Sequence, residues 1–155
     1  MSMTIESPQL FEQGGLKPHQ LERLEVFIGR WINSGETVGD VPAAIVTSDV
    51  YEWMPGGHFV LHTAYGRIGD LDAGGTEILG WDSQAGGYFS IFYDSSGGLH
   101  RAVLSSDGAS WTWSGVSTGC TAEFSADGRV QTAHHVRLDG DRRVPSMEVI
   151  LQKVV

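Results

Sequence analysis

The 155-residue chain predicts an all-β domain: an antiparallel up-and-down barrel of about ten strands, entered through one N-terminal amphipathic helix. Three observations lead there. Short alternating apolar runs fill the chain after residue 31, Gly-rich turns separate them, and the connections are too short for the helical crossovers that parallel strands need. Closure then removes the edges that so many short strands would otherwise expose. The composition agrees, with 21 Gly and 5 Pro beside 5 Trp, 4 Tyr and 6 Phe.

The helix is expected over Leu21–Trp31, where Leu21, Leu24, Phe27 and Ile28 fall on one face, Glu22, Arg23 and Glu25 on the other, and Gly29 stands where a helix stops. Pro18 opens it, since the missing N–H costs nothing there. Residues 1–17, polar and carrying Pro8 and Gly14-Gly15, read as a flexible arm. Residues 18–155 read as a single domain, long enough to build a core without disulfides or metal.

Strands are expected at Arg30–Val38, Ala43–Met54, His58–Ile68, Thr76–Asp82, Tyr88–Asp94, Leu99–Ser106, Ser110–Ser114, Thr121–Phe124, Arg129–Asp139 and Val144–Val154. In the first, Trp31, Asn33 and Gly35 share a face, and Gly35 suggests a close backbone approach. Met54-Pro55-Gly56-Gly57, Ser95-Ser96-Gly97-Gly98, Asp107-Gly108 and Asp139-Gly140-Asp141 supply the turn residues that antiparallel hairpins demand.

Alternate residues of a barrel strand face inward. Taking the more apolar parity as inner points Phe59, Leu61, Tyr65, Leu79, Trp81, Trp111, Trp113, Val130, His134, Val136, Leu138, Met147, Val149 and Leu151 into the barrel. Tyr88–Asp94 is apolar on both parities, so its outer face is expected to be covered, which suggests a homodimer.

The net charge of −9 and a pI near 4.9 disfavour nucleic acid and anionic membranes as partners. No stretch approaches the roughly 18 apolar residues of a membrane span. Cys120 is the one cysteine, which excludes an internal disulfide and suits a reducing compartment, so the cytoplasm is the expected location.

Six histidines raise the question of metal. His58 and His62 share a face, but their Cα atoms lie about 13 Å apart on a strand rising roughly 3.3 Å per residue, and His134 and His135 point to opposite faces. No pair chelates locally, and no metal site is expected. His134 is a polar group on a mostly apolar parity, and His100 reaches the cavity rim. No Gly-x-Ser-x-Gly elbow is present, Cys120 has no evident partner, and the Gly pairs lack the Lys-Ser/Thr of a phosphate cradle. Glu52, Glu77, Glu123 and Glu148 lie within strands, and one facing the cavity would serve as an acid or base; Glu148 is outward by parity.

The entry Phe27-x-Gly29-x-Trp31, the hairpin Glu52…Pro55-Gly56-Gly57-x-Phe59, Gly80-Trp81-Asp82 and Asp94-Ser95…Gly97 resemble an uncharacterised bacterial family of lipocalin-like (calycin) barrels, over about Leu21 to Lys153. The resemblance implies a cavity and transfers no catalytic residue. A more distant likeness is to nitrobindin-type haem barrels, in which a late-strand histidine holds iron; His134 would carry that role. Similar barrels also act as cyclases or isomerases of small-molecule pathways, which gives an enzyme alternative using the same aromatic pocket. The leading expectation is binding of a small, largely apolar molecule, without resident cofactor, by His134, Trp111, Trp113, Phe59, Tyr65, His100 and Trp81.

Overall fold

Ten antiparallel strands close into one barrel, each paired with its sequence neighbour and the last paired with the first. The computed structural model describes residues 17–154; apart from Lys17, the expected arm lies outside the described residues. The strands are β1 (Gly29–Thr37), β2 (Ala44–Trp53), β3 (Phe59–Ile68), β4 (Leu71–Asp82), β5 (Gly87–Asp94), β6 (Leu99–Asp107), β7 (Ser110–Gly115), β8 (Thr118–Phe124), β9 (Val130–Asp139) and β10 (Arg142–Val154). All ten expected strands are present. β4 starts five residues earlier than expected because Gly74 and Gly75 let its first half pair closely with Tyr65 and Asp94. Among the described residues no helix is long and apolar enough to cross a membrane.

The helix differs from the expected one. It is a 3₁₀ helix over His19–Phe27, and Gly29–Trp31 already belong to β1. Leu21, Leu24 and Phe27 are the buried residues, and their spacing of three is the one that aligns side chains in a helix of three residues per turn. Ile28 is extended and Gly29 has φ +136°, a conformation that L side chains rarely adopt. The chain therefore leaves the helix and enters β1 there. Trp31 Nε1–H donates to the Phe27 carbonyl at 2.9 Å, which satisfies one of the acceptors a helix end leaves free.

This helix stops one end of the barrel. Phe27 is fully buried and packs against Tyr51, Trp111, Trp113 and Phe124 at centroid distances of 5.2–5.6 Å. Polar bonds tie the helix to the rim: the Tyr88 hydroxyl donates to Gln20 O at 2.7 Å, Trp53 Nε1–H to Glu25 at 2.7 Å and Arg23 to Ser106 Oγ at 2.7 Å. Gly35 is a close approach, as expected: a Cβ there would collide with the Glu148 carbonyl across the β1–β10 pair.

The opposite rim is open, with the turns at 69–70, 95–98, 116–117 and 140–141 around it. Val41, Leu71 and Val116 are highly exposed there. The outer wall of β3–β6 is apolar as well. Phe59, Gly80, Phe89 and Val103 form one row across four strands, and a Cβ on Gly80 would meet the Phe59 and Phe89 rings at 2.8–2.9 Å.

Replacing Phe27 by Ala removes the centre of the plug, and a loss of about 3–5 kcal/mol is expected for a buried Phe. Urea unfolding followed by tryptophan emission measures it; a loss below about 1 kcal/mol would show that the helix rests on the barrel without stopping it.

Candidate functional site

The barrel encloses a cavity of about 420 Å³, within the range of pockets that hold one small molecule. Tyr51 and Trp113, both in contact with Phe27, lie at its deep end, and Ile68, Gly74, Gly115, Thr118 and Ser146 lie toward the open rim. Most of the wall is apolar: Ile45, Ala64, Phe92, Ala102, Ala122, Ala133, Val136, Met147, Val149 and Leu151 all contribute.

A polar cluster is set into this wall. His62 on β3 lies between two carboxylates, with Nε2 3.0 Å from Asp49 Oδ1 on β2 and Nδ1 2.8 Å from Glu77 Oε1 on β4. Asp49 Oδ2 accepts from Asn33 Nδ2 at 2.6 Å, and the same amide donates to Thr47 Oγ1 at 2.9 Å. Glu77 Oε2 accepts from the Ser90 hydroxyl and from Trp113 Nε1–H at 3.2 Å. Asp49, His62, Glu77 and Ser90 are all buried. The Tyr51 ring stacks on His62 at 3.8 Å with an interplanar angle of 7°.

Two carboxylates on one imidazole define its protonation state. Burial by itself would lower the His62 pKa, but the hydrogen bonds to Asp49 and Glu77, reinforced by their charges, raise it from 6.5 to about 9. At neutral pH both ring nitrogens carry protons and His62 is an imidazolium. Neither nitrogen then has a lone pair to offer a metal. Among the described residues no group of three or more His, Cys, Asp or Glu side chains is arranged to hold one.

Three other ionisable side chains beside the cluster, Tyr51, Cys120 and His135, are neutral at pH 7. Burial pushes the Cys120 thiol up to about 12 and raises the Tyr51 phenol well above its ordinary value, with the carboxylates adding to both. Burial lowers His135 despite the nearby Asp49, Glu148 and Glu77. His135 Nε2 lies 3.7 Å from Cys120 Sγ.

The expected site residues divide into three groups. Trp113 and His100 line the cavity, His100 at the mouth with Nε2 2.6 Å from Asp94. Trp111 and Trp81 instead pack at the plugged end, Trp111 against Phe27 and Tyr88, and Trp81 against Tyr88. Phe59, Tyr65 and His134 are corrections: all three point outward. Phe59 and Tyr65 are exposed, because Val60 is the β3 residue paired with the inward Leu79 and parity then makes His62 and Ala64 inward. His134 is half exposed and paired with Glu148, while Gln131, Ala133 and His135 face the cavity. Val130 and Leu138 fall on the same wrong parity, whereas Val136, near the Pro145/Met147 irregularity, does line the cavity.

With His134 outside the barrel and paired with Glu148, that residue does not occupy the position of the iron ligand that the nitrobindin-type resemblance gave it. Sequence reasoning missed Asp49, His62, Glu77 and Ser90 as a group. A signal was available for one of them: Leu79 is inward, and Glu77 shares its parity.

Comparison with known proteins bears on the fold. No protein-family model and no curated protein sequence matches the chain. Among solved structures it is similar to Rv2717c from M. tuberculosis, with 13% identity and a TM-score of 0.64 over 90% of this chain and 100% of that one. It is also similar to the S-type phycobiliprotein lyase CPES from Guillardia theta, with 7% identity and a TM-score of 0.53 over 86% and 92% of the two chains. A third similarity is to zebrafish ileal bile acid-binding protein complexed with cholic acid, with 15% identity and a TM-score of 0.54 over 83% and 99%. The chain is a lipocalin-like barrel. The likeness is one of fold, and the particular bacterial family that the motifs resemble has no counterpart in these matches.

The folded-state pKa of His62 lies above the ordinary value, so its charge stabilises the fold fully below about pH 6.5 and that contribution is lost as pH rises through about 9. Imidazole ¹H–¹⁵N spectra at pH 7.5 are expected to show His62 doubly protonated and His135 neutral. A His62 that titrates near 6.5 would show that the carboxylates do not hold it.

Proposed function

We propose that this protein binds a small, largely apolar molecule inside the barrel, with its polar end at the Asp49–His62–Glu77 cluster. The observation that carries the reading is the cavity itself: about 420 Å³ left open between the plug and the far rim, apolar over most of its wall, with a hydrogen-bonded cluster of buried polar groups set into one part of it. A filled core would leave no such volume. An apolar molecule leaving water for this wall gains roughly 25 cal/mol per Å² of surface buried, and a single polar cluster fixes its orientation. The similar bile acid-binding protein was solved with cholic acid, which supports small-molecule binding as the use of this type of barrel. The exposed Val41, Leu71 and Val116 beside the mouth suit the entry of an apolar molecule.

Binding is favoured over catalysis by the hydrogen-bond pattern. Both His62 nitrogens are committed to carboxylates, so that imidazole has no free nitrogen with which to pass a proton to or from a ligand.

N-phenyl-1-naphthylamine, which fluoresces strongly only when shielded from water, is expected to bind with saturation at one molecule per chain. Replacing the cavity-lining Ala64 by Phe should weaken that binding at least tenfold by occupying the volume, with the fold retained by circular dichroism. Binding unchanged by Ala64→Phe would place the probe elsewhere.

A further inference from the structure

We propose that the molecule this cavity takes carries a cationic, hydrogen-bond-donating end, an alkyl- or arylalkyl-ammonium or a related amidinium, that docks against Asp49 and Glu77. The proposal rests on the cavity-binding reading and adds the chemical class of the ligand. It comes from a count of donors and acceptors in the cluster.

The N–H and O–H groups that touch the two carboxylates directly are already used. His62 gives one ring proton to each carboxylate, Asn33 gives its two amide protons to Asp49 and Thr47, and Ser90 and Trp113 both donate to Glu77. A carboxylate has about four acceptor positions. Asp49 uses two and Glu77 three, so the unused capacity of both is for accepting. Asn33 Oδ1 is a further acceptor, buried in this wall with no partner among the described residues. Gln131 Nε2 is likewise unpartnered, and that amide carries a donor and an acceptor whichever way it is turned, so it suits a ligand of either kind. The hydroxyls of Thr47 and Tyr51 can serve in either direction.

Charge points the same way. Two carboxylates around one imidazolium leave a single negative charge inside a low-dielectric wall, and the Tyr51, Cys120 and His135 side chains add none. Buried charge is costly unless paired. A ligand ammonium removes the imbalance, whereas a ligand carboxylate would add a second negative charge beside the first. The one arginine of the lining, Arg101, sits toward the mouth, near His100, whose ring is held by Asp94. The overall charge of −9 draws cations toward the protein as well.

A matched set on one carbon frame tests this: 4-phenylbutylamine, 4-phenylbutanol and 4-phenylbutyrate, each displacing N-phenyl-1-naphthylamine at pH 7.4 in 150 mM salt. The ammonium is expected to compete at least tenfold more strongly than the carboxylate, with the alcohol between them. Equal or stronger competition by the carboxylate overturns the proposal and assigns the polar end to Arg101 at the mouth. No displacement by any of the three also overturns it. A probe that finds no saturable site is a different failure, that of the cavity-binding reading itself. General attraction of cations to an acidic surface is separated by Glu77→Gln and Asp49→Asn: each should cut the ammonium-over-carboxylate preference at least fivefold. If both variants fold and keep the wild-type preference, the ammonium is not at the cluster and the proposal fails.

Discussion

The cavity exists because the sheet closes on itself while only one end is stopped. β1 is the strand on which closure depends, paired with β2 on one side and β10 on the other. It is delivered into that position by the helix just before it, through Ile28 and Gly29. Phe27 and Trp31, four residues apart, sit on the two sides of this junction and are among the most deeply buried side chains of the chain. The segment that starts the barrel therefore also plugs it, and the aromatic floor formed by Phe27, Tyr51 and Trp113 leaves the rest of the interior unfilled.

That unfilled interior gives the polar cluster its character. Inside a full core, Asp49, His62 and Glu77 would have to satisfy one another completely, because an unpaired buried charge is strongly destabilising. Here they line a volume that water or a ligand can enter, and the pairing is complete for donors but not for acceptors. The Tyr51 ring stacked on the imidazolium adds cation–π attraction and joins the floor of the cavity to its charged group. One ring thus belongs both to the plug and to the site.

The number of strands, their order and the tight turns were legible in the sequence, because Gly-rich hairpin turns and short connections leave few alternatives to a meander. The inward parity of β7 and β10 was legible too, through Trp111, Trp113, Val149 and Leu151. β3 and β9 were read on the wrong face for a physical reason. Choosing the more apolar parity as inner assumes that the inside of a barrel is the less polar side, and in these strands the rule is reversed. β3 turns Phe59, Leu61 and Tyr65 outward onto the apolar wall of β3–β6, and turns His62 inward to meet Asp49 and Glu77. β9 turns Gln131 and His135 inward and leaves His134 to Glu148 outside. The pairing register carries the missing information: Trp31 fixes Asn33 as inward, Leu79 fixes Glu77, and Val60 opposite Leu79 fixes His62. A polar residue on the parity of a certain core residue is a stronger indicator of a site than an aromatic residue on an apolar one.

On the proposed reading, ligand binds between the aromatic floor and the charged cluster, inside the barrel. Titration of ¹⁵N-labelled protein with N-phenyl-1-naphthylamine, read on the histidine and tryptophan ring resonances, tests it most directly. Saturable shifts are expected at His62, Trp113 and His135, with His134 unmoved. Shifts confined to His134 and other outward side chains would contradict it.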